Sequence, residues 1–121
     1  MNLLGKKYEE IAVSYLKKQG YIILERNYTT KTGEIDIIAK DGNCIVFVEV
    51  KARKNSNYEP SESVIGSKRN KIIKTSLIYL KSKNMGQNID FRYDVLSIRG
   101  DINSPSFTLF KNAFSSDRYF I

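Results

Sequence analysis

The sequence predicts an α/β fold, one β-sheet with helices packed on its faces, in the order α-β-β-β-α-β-β. Three observations predict it. Two segments repeat apolar residues at helical spacing. Five segments rich in Ile, Val, Phe or Tyr are set off by Gly, Asn, Asp or Pro. A turn signal, Asp41-Gly42-Asn43, joins two of those five into a hairpin.

The first helix is read from Leu4, Tyr8, Ile11, Ala12, Tyr15 and Leu16. Asn2 is its candidate cap, and Gly20 is placed to end it. A strand follows over Tyr21–Asn27, then a turn over Thr29–Gly33. The hairpin strands span Glu34–Lys40 and Cys44–Ala52. In the second of these Val46, Val48 and Val50 point one way, and Phe47, Glu49 and Lys51 the other. Apolar residues on both faces predict a central strand. Arg53–Gly66 is polar and reads as an irregular loop with a short helical turn around Glu62. The second helix runs over Ser67–Lys83, with Ile72, Ile73, Leu77 and Leu80 on its apolar face. Phe91–Ile98 and Ser106–Lys111 read as the last two strands, and Pro60 and Pro105 fall in loops.

With 121 residues and neither repeat nor linker, residues 1–121 are expected to form a single domain. No apolar run approaches the ~20 residues of a membrane helix. The start, Met1-Asn2-Leu3-Leu4-Gly5, lacks the pattern of a signal peptide. Together with the lone Cys44, these features lead us to expect a cytoplasmic protein. A net charge of +7 favours an anionic partner, nucleic acid above all. There is no histidine. That excludes Ser-His-Asp and Cys-His nucleophiles, histidine bases and histidine zinc sites. Any catalysis has to come from carboxylates, Lys, Arg, Tyr or hydroxyls, and carboxylates suit hard cations such as Mg²⁺ or Mn²⁺.

Three charges interrupt the apolar hairpin: Asp36 within Ile35–Ile38, and Glu49 and Lys51 after Cys44–Val48. A strand buried on both faces does not carry unpaired charge cheaply, and such violations mark functional sites. With Gly42-Asn43 central in the turn, Asp36 lies opposite Glu49. With Asp41-Gly42 central, it lies diagonal to it. Either two-residue register puts Asp36, Glu49 and Lys51 on one face, with the carboxylates about 5–8 Å apart. Two such carboxylates suit a divalent cation beside a phosphate, with Lys51 to orient water or stabilise developing charge. A structural ion pair at the sheet's end is the other reading of the same residues.

Gly33-Glu34-Ile35-Asp36-Ile37-Ile38-Ala39 and Val46-Phe47-Val48-Glu49-Val50-Lys51-Ala52-Arg53 resemble the YraN-like family of small bacterial proteins. That family in turn resembles Holliday-junction resolvases of the PD-(D/E)XK restriction-endonuclease-like superfamily. The resemblance extends over Gly5, Glu9, Ala12, Tyr15-Leu16, Gly20-Tyr21, Arg26-Asn27, Glu62, Val64, Lys68-Arg69 and Phe91–Val95. It implies a restriction-endonuclease-like core with a mixed central sheet. It also implies Asp36 and Glu49 as metal ligands, Lys51 as the superfamily lysine, and Glu9 as the helix-borne acid of the catalytic set. Ile35 replaces the proline of the superfamily motif, and Tyr8 replaces the glycine that usually precedes the helix acid.

Arg53, Lys54, Lys68 and Arg69 are the candidate nucleic-acid contacts, with Lys71 and Lys74 beside them on a helix face that also reads as merely solvated. Glu34 shares a strand face with Asp36 and suits a second cation or an ion pair. Tyr28, Tyr58 and Tyr79 are candidates for base stacking, though tyrosine is commonly core. Cys44 reads as a small strand residue. Read as a whole, the sequence points to a Mg²⁺- or Mn²⁺-dependent endonuclease acting on DNA, including branched or structured DNA. The resolvase likeness implies a homodimer, since a four-way junction presents two symmetric cuts. The rival readings are a nucleic-acid-binding module that does not cut, and an interaction protein on a nuclease-like fold.

Overall fold

The structure is a computed structural model, which describes residues 3–53, 62–85 and 88–115. The elements are α1 (Leu3–Lys18), β1 (Ile22–Thr30), β2 (Gly33–Asp41), β3 (Cys44–Arg53), α2 (Glu62–Ser82), β4 (Asp90–Arg99) and β5 (Ser106–Phe114). The order is the expected one. The strands form one sheet in chain order, β1-β2-β3-β4-β5. All neighbours are antiparallel except β3 and β4, which are parallel. A parallel pair needs a crossover, and α2 supplies it.

The helices cover opposite faces. Tyr8, Ala12, Val13 and Leu16 of α1 pack on Ile37, Ala39, Val46, Val48, Leu96 and Ile98. Ile72, Ile73, Tyr79 and Leu80 of α2 pack on Ile35, Ile38, Ile45, Phe47, Tyr93 and Val95. Strand β3 is therefore buried on both sides, as its two apolar faces predict. Among the described residues, no helix is long and apolar enough to cross a membrane.

Helix α1 ends where Gly20 predicts. The Gly20 N–H donates to Lys17 O and the Tyr21 N–H to Leu16 O, each at 3.0 Å. With Gly20 at φ +93°, this is a Schellman stop. Asn2, the expected cap, lies outside the described residues. Strand β1 continues through Thr30, so the expected turn over Thr29–Gly33 shrinks to Lys31-Thr32. Tyr28, Thr29 and Thr30 favour the extended strand, and the Thr32 N–H closes the turn by donating to Thr30 Oγ1 at 3.1 Å.

Helix α2 starts at Glu62, five residues before the expected Ser67, because the helical turn read around Glu62 is its first turn. The expected apolar face is rotated. Leu77 is 39% exposed, whereas Thr75 and Ser76 are fully buried. Their hydroxyls are satisfied: Thr75 Oγ1 donates to Lys71 O at 2.8 Å, and Ser76 Oγ donates to Ile73 O at 2.6 Å. Ser76 Oγ also meets the Tyr93 hydroxyl. At the hairpin-turn end of the sheet, buried Asp94 accepts from the Tyr21 hydroxyl (2.7 Å), Arg92 Nε (3.0 Å) and the Asn112 N–H (2.9 Å). Arg92 also reaches Asp41 Oδ2 at 2.8 Å. Tyr28 and Tyr79 stack edge-to-face at 5.2 Å, and Tyr79 is 3% exposed, so the latter is core and not a base-stacking residue. Tyr58 lies outside the described residues.

Candidate metal and phosphate site

The turn fixes the register. Asp41 pairs with Cys44 around Gly42-Asn43, followed by Lys40 with Ile45, Ala39 with Val46, Ile38 with Phe47 and Ile37 with Val48. This is the register in which Asp36 lies alongside Glu49. The pairing ends at Ile37 and Val48, and a side chain takes over. The Val50 N–H donates to Asp36 Oδ2 at 2.8 Å. Asp36 thus sits where β2 and β3 part. Its half-buried carboxyl is pushed above the ordinary carboxylate value by burial. The Val50 amide and the Lys68 charge oppose that shift, while Glu49 and Glu34 add to it.

The expected common face holds for Glu49 and Lys51 but not for Asp36. Ile35 and Ile38 pack on the α2 side and Ile37 on the α1 side, so face alternation breaks at Asp36. The cause spans two strands. Across the β1–β2 pairing, the residue between Arg26 and Tyr28 is Asn27, in the left-handed region at φ +53°. Parity arguments hold only for an unbroken ladder, and at Asp36 the β2–β3 ladder has ended while the β1 residue across from it, Asn27, is left-handed. The Asp36 side chain opens on a cavity of about 170 Å³ on the α1 side, lined by Gly5, Tyr8, Glu9, Val50 and Ala52.

That cavity joins Asp36 to Glu9. Glu9 is 7% exposed, so it is not a solvated helix acid. Its Oε1 accepts from Arg26 Nε at 2.9 Å and from Asn27 Nδ2 at 2.8 Å. Arg26 reaches Glu10 as well, at 2.6 Å. These two β1 residues hold Glu9 in place. They stand in the family resemblance, yet sequence reasoning assigned them no role in the site. Tyr8, the departure from the family's glycine, is buried in the α1 core and donates to Gly100 O at 2.9 Å.

Glu49 faces α2 and is 3% exposed. Lys68 Nζ lies 2.9 Å from its Oε1. Among the described residues, neither Glu49 oxygen receives a well-aligned hydrogen bond. A buried carboxylate in that condition is costly. Lys68, one of the expected nucleic-acid contacts, is therefore engaged with the expected metal ligand. Glu34 and the expected phosphate residues Lys71 and Lys74 are exposed, and Lys54 lies outside the described residues.

Lys51 projects on the α2 side into a cleft of about 250 Å³, where it meets Arg53 and Arg69 together with Ser97, Arg99 and Phe110. The last three come from β4 and β5 and carry no motif in the sequence.

The donor set is all carboxylate, suited to a hard divalent cation. Among the described residues, no three acids form a ready-made cage. The pair Asp36 and Glu9, which line one cavity on the α1 side, suits a cation held by few protein ligands. Glu49, whose two buried oxygens lack directed donors among the described residues, lies on the α2 side of the same strand end. Lys68 is 57% exposed at its side chain, which leaves it room to swing away.

The profile of the family described as "Uncharacterised protein family UPF0102" matches residues 8–98. A UPF0102 protein of Clostridium botulinum (strain Hall) is 51% identical over 114 residues, covering 92% of this chain and 93% of that protein. Its counterpart in C. botulinum (strain Kyoto) is 50% identical over 114 residues, with the same coverage of 92% and 93%. A UPF0102 protein of Sulfurihydrogenibium sp. is 47% identical over 98 residues, 80% of this chain and 84% of that protein. These matches agree with the YraN-like resemblance and cover every residue of the site described above from Tyr8 to Ser97. The chain belongs to the UPF0102 family.

Proposed function

We propose that this protein is a Mg²⁺- or Mn²⁺-dependent endonuclease acting on DNA, including branched or structured DNA. The observation that carries the reading is Glu49, a carboxylate 3% exposed whose oxygens receive no directed hydrogen bond among the described residues, with Lys51 two residues on along the same face and Asp36 at the adjoining end of β2. A structural carboxylate in that position would be hydrogen-bonded throughout.

Glu49 and Asp36 would hold the cation, with Glu9 completing the site from α1. The cation supplies Lewis-acid polarisation of the phosphoryl oxygen and acidifies water. Lys51 stands on the same strand face as Glu49, where its ammonium stabilises charge developing on the phosphate. The reaction is hydrolysis: the oxygen of water bonds to phosphorus, the bond to the leaving sugar oxygen breaks, and that oxygen takes up a proton. Arg26 and Asn27 keep Glu9 oriented, as outer partners of metal-site acids do. Two such centres acting on a four-way junction would require a homodimer.

One observation favours a second reading. The Lys68 ammonium 2.9 Å from Glu49 supplies the positive charge that a metal otherwise would. A DNA-binding module that does not cut would be built in that way.

A cleavage panel of duplex, single-stranded, flap and four-way-junction DNA with Mn²⁺ separates the two. The nuclease reading expects cleavage of at least one substrate, abolished by chelator, by Glu49→Gln and by Lys51→Ala. No cleavage anywhere, with DNA binding that persists unchanged in chelator and in Asp36→Asn, would establish the second reading instead.

A further inference from the structure

The cleft beside Lys51 has a composition that the metal site does not explain. Strands β3 and β4 run parallel and in register, pairing Lys51 with Ser97 and Arg53 with Arg99. At the second pair two cations stand directly across from each other. Arg69 of α2 closes the side. No carboxylate stands among the described lining residues. The Arg69 guanidinium lies 4.8 Å from the centre of the Phe114 ring, and its Nε is buried without a hydrogen-bond partner among the described residues. Cationic side chains converging on a concavity with no carboxylate among its described lining residues suit an anion. Phe110 borders the cleft as a phenyl ring that is 51% exposed, paired with Val95 across β4 and β5.

We propose that this cleft binds the phosphate next to the scissile one in an unpaired stretch of a DNA strand, with the adjoining base stacked on Phe110. Placement of that phosphate next to the scissile one rests on the nuclease reading above. The cleft and its ligand class rest on its own residues. An exposed ring takes the face of a base only when that base has left its pair, so the cleft selects single-stranded character at this position. Arg69, Arg99 and Lys51 would provide the charge, and the Ser97 hydroxyl a neutral hydrogen bond. The cleft is shared with the metal site only through Lys51, which belongs to both.

The test is fluorescence anisotropy of the full chain with a dye-labelled oligothymidylate, in chelator and across a salt series. The duplex of the same sequence serves as comparison. Wild type is expected to prefer the single strand. Arg99→Gln should weaken binding at least several-fold and lower the slope of log affinity on log salt by about one. Phe110→Ala should weaken single-strand binding by about 5- to 100-fold, leave duplex binding unchanged, and be restored by Phe110→Tyr. Both side chains are exposed, so each variant should keep the wild-type melting temperature. Wild-type affinity and salt slope in Arg99→Gln and Phe110→Ala would overturn the proposal. An equal loss of duplex and single-strand binding in Phe110→Ala would also overturn it. Because binding is read in chelator, absence of cleavage with Mn²⁺ would defeat the nuclease reading and leave this one standing.

Discussion

Lys68 Nζ lies 2.9 Å from Oε1 of Glu49, so an exposed helix lysine neutralises a carboxylate buried between sheet and helix. Removing that lysine leaves Glu49 charged and unpaired. A fully buried pair broken in this way loses about 3–5 kcal/mol. Lys68 is more than half exposed, and solvent screening lowers the expectation to about 1–2 kcal/mol. Lys68→Ala should therefore melt below wild type in chelator. Added Mn²⁺ should raise the variant's melting temperature more than that of wild type, because the cation no longer displaces a resident ammonium. Thermal denaturation with and without Mn²⁺ checks both statements.

Arg26 provides a test of the helix acid. It donates to Glu9 at 2.9 Å and to Glu10 at 2.6 Å. Loss of a side chain that orients a metal ligand typically lowers metal affinity 10- to 100-fold. Arg26→Ala is expected to weaken Mn²⁺ binding by about tenfold in a direct titration. Wild-type affinity in this variant would remove Glu9 from the site.

Asp94 supports the fold at the other end of the sheet. It is fully buried and accepts from Tyr21, Arg92 and the Asn112 backbone. Asp94→Ala leaves the half-buried Arg92 and the Tyr21 hydroxyl without that acceptor, and about 3–5 kcal/mol of stability should go with it. Urea denaturation measures this, and Mn²⁺ should not restore it.

Asp41 predicts a pH dependence. The hydrogen bond from Arg92 holds its carboxyl below the ordinary carboxylate value, against a smaller opposing effect of burial. A carboxylate with a lowered folded pKa stabilises the native state above the unfolded value, about 3.9, and that contribution is lost as pH falls through the folded value. Asp41→Asn should therefore be less stable than wild type at neutral pH, by about 1 kcal/mol or less for this partly exposed pair. The difference should vanish in acid. Urea denaturation at a series of pH values checks the sign.

Much of this architecture was legible in local residues. Asp41-Gly42-Asn43 marked the hairpin but left two registers open, of which the structure takes the one with Gly42-Asn43 central. The two apolar faces of Cys44–Val48 placed β3 inside the sheet, and Gly20 stopped α1. The interrupting charges Asp36, Glu49 and Lys51 were legible as charges, and they lie at the end of the hairpin where β2 and β3 part. The relative orientation of Asp36 was not legible. It depends on where β2 stops pairing with β3, and on the left-handed Asn27 across from it on β1. Asn tolerates that conformation better than most residues, so the Arg26-Asn27 pair carried a signal that a single-hairpin parity argument does not use. Arg99, Ser97 and Phe110 were invisible for a different reason. They meet Lys51 and Arg69 only through the parallel β3–β4 pairing and the fold of β5, and no spacing along the chain encodes that meeting.

The central claim is that Glu49 ligates a divalent cation. Titration of Mn²⁺ into the full chain, followed by electron paramagnetic resonance, in the absence and presence of DNA, tests it most directly. The expected result is saturable binding by wild type, weakened at least about tenfold in Glu49→Gln, with the variant still folded. Absence of Mn²⁺ binding in both conditions, or equal affinity in wild type and Glu49→Gln, would contradict it.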